Sequence, residues 1–271
     1  MDIPDDIQEK TLLLAQTKLM KTQMLQRGAP MNRKKLAVIR EEIGSLIPID
    51  DPLVWLQPGR ERDSSHLNND SLKDMLEGVQ LGLWTLCAHS LNYLETVVNE
   101  RRPTCILEMG SGVSTLALQV FCKPLREAGH SVRIVSVEQE ERFAAETRAM
   151  LAKHNLEEGV EVIVCPPFIL EGLYDRTINS YNLSNLPEVM GGDMADFVLI
   201  DGPLGPPGTR VQVVPDLLQL NTLAPNAYFL MDDALRDGEM WIYDIWAERT
   251  DIKLDGVLWV GKGFLAGKVL P

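Results

Sequence analysis

The stretch CILEMGSGVSTLALQV, residues 105–120, sets an acid and two glycines at the junction of an apolar run and a helical pattern. Glycine lacks a Cβ, so Gly110 and Gly112 let the backbone turn sharply and approach a ligand closely. Ser114 and Thr115 then open the helix, where the first amides have no partner within it. A tight strand-to-helix connection carries the same glycines, so the turn alone decides little. Two further acids change this: SVEQE ends an apolar run at Glu138, and LIDGP ends another at Asp201. Solvated acids without a role would scatter over both ends of a sheet, whereas Glu108, Glu138 and Asp201 share one edge. A carboxylate at a strand tip accepts both hydroxyls of a ribose. The edge therefore reads as a nucleoside site built from Glu108, Gly110, Ser111, Gly112, Glu138 and Asp201.

A second acidic group follows in MDDALRDGE, where Asp232 and Asp233 end another apolar run. With Asp201 they form a set of three carboxylates, and oxygen-only ligands suit Mg2+ or Ca2+. The competing assignment makes Asp232 or Asp233 a cap for the next helix, or pairs one with Arg236 or Arg210. Arg236 and Glu239, three residues apart, are also placed to pair with each other. Structural or substrate-orienting roles are preferred here, with a metal held by Asp201, Asp232 and Asp233 as the alternative. Asp201 serves as general base if burial raises its pKa. His66 in a polar loop and His154 at a helix end are read as non-catalytic. Trp55 is the one tryptophan placed to wall a substrate.

These residues need elements to hold them. Residues 6–27 and 31–46 show helical spacing of apolar residues. A Pro- and Asp-rich loop follows, and a single long helix is expected over about 71–99. From Thr104 the pattern alternates: TCILEM, VRIVSVE, VEVIVC, ADFVLID and AYFLMDD read as strands separated by helices. A polar stretch near 172–192 interrupts them. GVLWVGKGFLAGKVL closes the chain as a hairpin around Gly261-Lys262-Gly263. Uniformly apolar strands between helices imply a parallel sheet covered on both faces. The expected fold is α/β: a doubly wound, mostly parallel seven-stranded sheet with an antiparallel C-terminal hairpin, plus an N-terminal helical extension. Residues 1–70 form that extension, as lid or dimer surface, and 71–271 the main domain.

The 271 residues carry a formal net charge of -13. Such a chain is a poor partner for nucleic acid or an anionic membrane, both polyanions. Cys87, Cys105, Cys122 and Cys165 form no CxxC pair and read as buried free thiols of a reducing compartment. No leader or spanning segment is recognised, so the cytoplasm is the expected location.

The nucleoside is narrowed by what the turn lacks. A dinucleotide fingerprint needs G-x-G-x-x-G, and the third glycine is missing here. No cation for a pyrophosphate lies near the turn, and an acidic edge suits a positive ligand. S-adenosylmethionine carries a sulfonium and no phosphate. ILEMGSGVSTL, VSVEQE, FVLIDGP and the terminal GKGFLAGKV resemble class I S-adenosylmethionine-dependent methyltransferases over roughly Thr104 to Pro271. IDGPLGPPGTR and FLMDDALRDGEMWIYDIW are similar to a bacterial subgroup distantly related to glucuronoxylan methyltransferases. The resemblance implies that Glu108, Gly110 and Gly112 hold the methionine part of the cofactor, Glu138 the ribose, and Cys165 to Phe168 the adenine. It implies an O-methyltransferase acting on a small-molecule or sugar hydroxyl. The acid set resembles that of catechol-type enzymes, which use two acids, an amide and Mg2+; Asp233 stands where the amide would be. The rival readings are an NAD-dependent dehydrogenase and a non-catalytic cofactor-binding scaffold.

Overall fold

Successive Cβ atoms point to opposite faces of a sheet, so alternation within each strand assigns its side chains to a layer. The computed structural model describes residues 63–271 apart from 175, 206, 207, 235 and 259, and elements are numbered within that range. β1 (Cys105–Met109) sends Ile106 to one face and Leu107 and Met109 to the other, all buried. β2 (Arg133–Glu138) adds Ile134 to the first face and Val135 and Val137 to the second. β6 (Ala195–Ile200) adds Phe197 and Leu199 to the first, Val198 and Ile200 to the second. Helices α1 (Asp70–Met75), α2 (Ala88–Arg101), α3 (Val113–Glu127) and α4 (Glu141–Lys153) cover the first face through Leu72, Leu91, Leu116 and Leu151. α5 (Leu186–Met190), α6 (Val213–Gln219) and α7 (Asp237–Ala247) cover the second through Met190, Leu217, Ile242 and Trp246.

The remaining strands of the main sheet are β3 (Val160–Val164), β7 (Leu223–Met231), β8 (Ile252–Leu258) and β9 (Phe264–Val269). The seven-stranded order is β3-β2-β1-β6-β7-β9-β8, with β9 antiparallel to both neighbours and the other pairs parallel. This is the expected doubly wound sheet with its closing hairpin. The chain moves outward from β1 through β2 to β3, then returns to β6 on the other side of β1. The strand order thus reverses at β1, and ligands of such sheets bind beyond the carboxyl ends at that point.

One expectation fails, and one stretch left open gains structure. The helix expected over 71–99 is two helices, because Gly78 and Gly82 adopt φ values of 78° and 80°, which a right-handed helix does not hold. Val79 and Leu83, between the two helices, are consequently exposed. The polar stretch before β6 contains structure of its own. β4 (Pro167–Leu173) and β5 (Arg176–Tyr181) form a separate antiparallel ribbon, which buries Ile178, Ser180 and Tyr181.

The helices expected over 6–27 and 31–46, and Trp55, lie outside the described residues. Leu67, N-terminal to the boundary expected at residue 70, packs in the same layer as Leu72. None of the four cysteines is in a disulfide, and all four are buried. Among the described residues no helix is long and apolar enough to cross a membrane.

Candidate active site

β1 ends at Met109 and α3 begins at Val113, so residues 110–112 must redirect the chain. Gly110 takes φ 103°, with its amide donating to the Val137 carbonyl at 2.8 Å. A Cβ there would stand 3.1 Å from the Gly202 nitrogen and 3.2 Å from the Asp201 carbonyl carbon. Both are backbone atoms that cannot yield. Gly110→Ala therefore combines a disfavoured φ with overpacking and is expected to lose about 2–4 kcal/mol, read as a lower urea midpoint at unchanged slope. Gly112 differs: nothing lies within 4 Å of its missing Cβ.

Two acids hold this turn from different sides. Glu138 is at the tip of β2, and its Oε2 accepts from the Ser111 amide at 3.1 Å and the Ser111 hydroxyl at 3.0 Å. Its Oε1 accepts from the amides of Gln139 at 2.7 Å and Glu140 at 3.1 Å. Glu108 lies beneath the turn, fully buried, accepting from the hydroxyls of Thr115 and Ser136, each at 2.6 Å. Thr115 in turn accepts from the Gly112 amide at 2.9 Å. Burial pushes the Glu108 carboxyl up to about 7, against the pull of these hydroxyls. A carboxyl raised in the folded state favours folding while protonated, and that contribution is lost as pH rises from about 4.5 through about 7. Glu108→Gln keeps the shape and removes the ionisation. Between pH 4.5 and pH 8 the variant is expected to gain about 3 kcal/mol on the parent, measured by urea denaturation at each pH.

A cavity of about 680 Å³ opens beside the turn. Gly110, Ser111, Gly112 and Ser114 form one wall, Glu138, Gln139 and Glu140 a second, and Phe143, Thr147 and Met150 of α4 a third. Trp84, Tyr181, Asp201 and Leu204 complete it. Trp84 is 84% exposed at the mouth. Tyr181 comes from the β5 ribbon and presses on Gly202, where a Cβ would overlap its hydroxyl. The Leu204 amide donates to Gln139 Oε1 at 2.6 Å, joining the ends of β2 and β6 across β1.

Of the residues singled out from the sequence, Gly110, Ser111, Gly112, Glu138 and Asp201 share this cavity. Glu108 does not reach its wall. Neither Cys165 to Phe168 nor His66 nor His154 is among its lining. Sequence reasoning missed Phe143, Thr147, Met150, Tyr181 and Trp84. The spacing of Phe143, Thr147 and Met150 on one helical face is legible, but it reads as core.

Behind Asp201 lies the second acid group. Asp201, Asp232 and Asp233 bring carboxylate oxygens within 4.8 Å of one another, as expected for a cluster. Asp232 and Asp233 are buried. Neither caps α7, whose N-cap position is Arg236. The expected pairing with arginines is present: Arg210 meets Asp201 and Asp233, each at 3.0 Å, and Arg236 meets Asp233 at 3.0 Å. Arg236 therefore pairs with Asp233 rather than through its side chain with Glu239, which instead accepts from the Gly208 amide at 3.3 Å. The unforeseen member is Lys262, 2.8 Å from Asp233 and 3.3 Å from Asp232. These cations hold the Asp233 carboxyl down to about 2 despite its burial. Burial raises Asp201 and takes Asp232 up to about 7. With three cations already set against the three acids, the cluster does not fit a divalent metal.

An SAH-bound Podospora anserina methyltransferase, PaMTH1, matches at TM-score 0.53 and 17% identity, over 89% of this chain and 98% of that one. The chain has the class I methyltransferase fold. A second structure of this fold, the Bacillus cereus O-methyltransferase in complex with SAH, matches at TM-score 0.51 and 18% identity, over 84% of this chain and 99% of that one. No family model and no curated protein matches the chain. Within the class I methyltransferase fold, the cavity lies at the switch point beside β1, where the sequence reading set it.

Proposed function

We propose that the chain binds S-adenosylmethionine and transfers its methyl group to a hydroxyl of a small-molecule acceptor. One observation carries this reading. The described cavity lining has four carboxylates, Glu138, Glu140, Glu146 and Asp201, and no lysine or arginine. Such a wall repels a pyrophosphate and attracts a sulfonium or an amine. This favours S-adenosylmethionine over NAD on the same architecture, and the SAH complexes of similarly folded enzymes support it.

The residues fit that cofactor. Gly110, Ser111 and Gly112 would take its methionine part, Gly112 leaving open space where a side chain would stand. Glu138 would take the ribose hydroxyls. Its lone pairs are engaged by Ser111 and two amides, but the Ser111 hydroxyl has a second partner in Thr147 at 3.0 Å. Turning to Thr147 frees one acceptor position on Glu138 Oε2 for a ribose hydroxyl. Phe143 and Met150 offer an apolar wall to the base. Glu108 would act from below, fixing the turn. When bound, the sulfonium supplies a methyl group ready for displacement by an oxygen nucleophile.

The chain's own part is alignment and proton removal. Alignment of a nucleophile in a shielded site supplies much of the acceleration in such reactions. Asp201 lines the cavity and takes the acceptor's hydroxyl proton on its carboxylate. Burial raises its pKa, which strengthens it as a base, and Arg210 at 3.0 Å opposes that rise. The family resemblance favours a sugar or other polyol as acceptor. Calorimetric titration tests the cofactor assignment: SAH is expected to bind with one site per chain and NAD not at all. NAD binding without SAH binding would reverse the choice.

A further inference from the structure

The catechol-type resemblance implies a divalent ion among Asp201, Asp232 and Asp233, and their oxygens do converge within 4.8 Å. The charges around them are of another kind. Lys262 Nζ lies 2.8 Å from Asp233 Oδ1 and 3.3 Å from Asp232 Oδ2, and its side chain is 3% exposed. Arg210 Nη1 takes Asp233 Oδ2 and Nη2 takes Asp201 Oδ1, each at 3.0 Å. Arg236 adds a third cation from the rim. Asp201, Asp232 and Asp233 thus face three cations, and a fourth buried acid, Glu239, acts on Arg210 and Arg236 as well. A divalent ion added among these cations would leave surplus positive charge in a buried pocket, which costs several kcal/mol per uncompensated ion.

The position of Lys262 is built into the backbone. It sits in the turn between β8 and β9, between Gly261 at φ 57° and Gly263 at φ 90°. A Cβ on Gly261 would overlap Ser90 Oγ and Cys87 Sγ, so the turn is pressed onto the start of α2. The Gly263 carbonyl accepts from the Ala234 amide at 3.0 Å, tying the turn to the residue after Asp233. Two glycines and two fixed contacts turn a lysine inward onto the carboxylates. Hairpin tips ordinarily leave lysine in water.

We infer that the Lys262 ammonium is the resident cation of this carboxylate cluster, occupying the place of a divalent metal, and that methyl transfer by this chain needs no metal. The catalytic half of this inference rests on the methyltransferase reading; the occupancy half does not. An ammonium cannot accept the acceptor oxygen as a ligand, so Lys262 serves as a positioning residue. It holds Asp232 and Asp233 together and lets Arg210 reach Asp201.

Mn2+ binding tests this, followed by electron paramagnetic resonance of the purified chain. The parent protein is expected to show no saturable Mn2+ site. Lys262→Ala is expected to bind one Mn2+ per chain at least about tenfold more tightly than the parent, and Lys262→Ala combined with Asp232→Asn to lose that gain. Saturable Mn2+ binding by the parent that Asp232→Asn abolishes would overturn the inference. So would a folded Lys262→Ala variant with no gain. Where Lys262→Ala does not fold, the parent and Asp232→Asn decide between the two outcomes. SAH titration of the same samples reports separately on the cofactor reading, so one can fail without the other.

Discussion

Replacing Arg210 with methionine is expected to remove about 3–5 kcal/mol of stability, a fall in melting temperature of roughly 6–20 °C. The side chain is 6% exposed and bridges Asp233, which is buried, and Asp201, which is partly exposed at the cavity wall. It also donates to the backbone carbonyls of Asp201 and Asp232, each at 2.8 Å, so it ties the ends of β6 and β7 together. Methionine keeps the stem's packing and leaves Asp201 without its cation. The deficit has a pH signature. Asp201 already has a raised pKa through burial, and losing Arg210 raises it further. Protonation then relieves the unpaired charge, so the loss is expected to be larger at neutral than at acid pH. Arg236→Ala is the control: its side chain is 40% exposed, and solvent screens its pairing with Asp233 to within about 1 kcal/mol. Equal losses for the two arginines would contradict the assignment of Arg210 as the buried bridge.

Changing Glu138 to alanine is expected to weaken SAH binding at least about 100-fold, because hydrogen bonds to a charged group contribute about 1.5–3 kcal/mol each. Part of that loss passes through the protein itself. Glu138 receives the Ser111 amide and hydroxyl and two further amides, so the glycine turn loosens without it. Ser111→Ala separates the contributions. It deletes one hydroxyl bond and leaves the carboxylate free for ligand, so its effect is expected to stay within about tenfold. Calorimetry with SAH on both variants, alongside their melting curves, gives the comparison. Unchanged affinity in a folded Glu138→Ala variant would remove Glu138 from the cofactor site.

Periodicity made the sheet readable. Strands buried on both faces, such as β1 and β6, are largely apolar, and the residues that follow them, Gly110 and Asp201, mark the functional edge. The helix break at Gly78 and Gly82 was hidden because single glycines are tolerated in helical patterns; only the φ values show that these two are turns. The β4–β5 ribbon was hidden because β4 is mostly exposed and carries no apolar alternation. Tyr181 went unseen with it. Glu108 illustrates a different limit: its place at a strand end is legible, but alternation turns it toward Thr115 beneath the turn. Lys262 between two glycines reads as an ordinary hairpin tip. That it points inward depends on contacts with Ser90 and Ala234, far away in the chain.

The central claim is that the acid-lined cavity beside β1 receives the sulfur nucleoside. A crystal structure of the chain grown with SAH tests it most directly. A ribose hydroxyl is expected on Glu138 Oε2 in place of the Ser111 hydroxyl, the amino acid portion against residues 110–112, and the sulfur facing Asp201. Electron density for SAH elsewhere on the molecule, with Glu138 still bound only to Ser111 and its neighbouring amides, would contradict it.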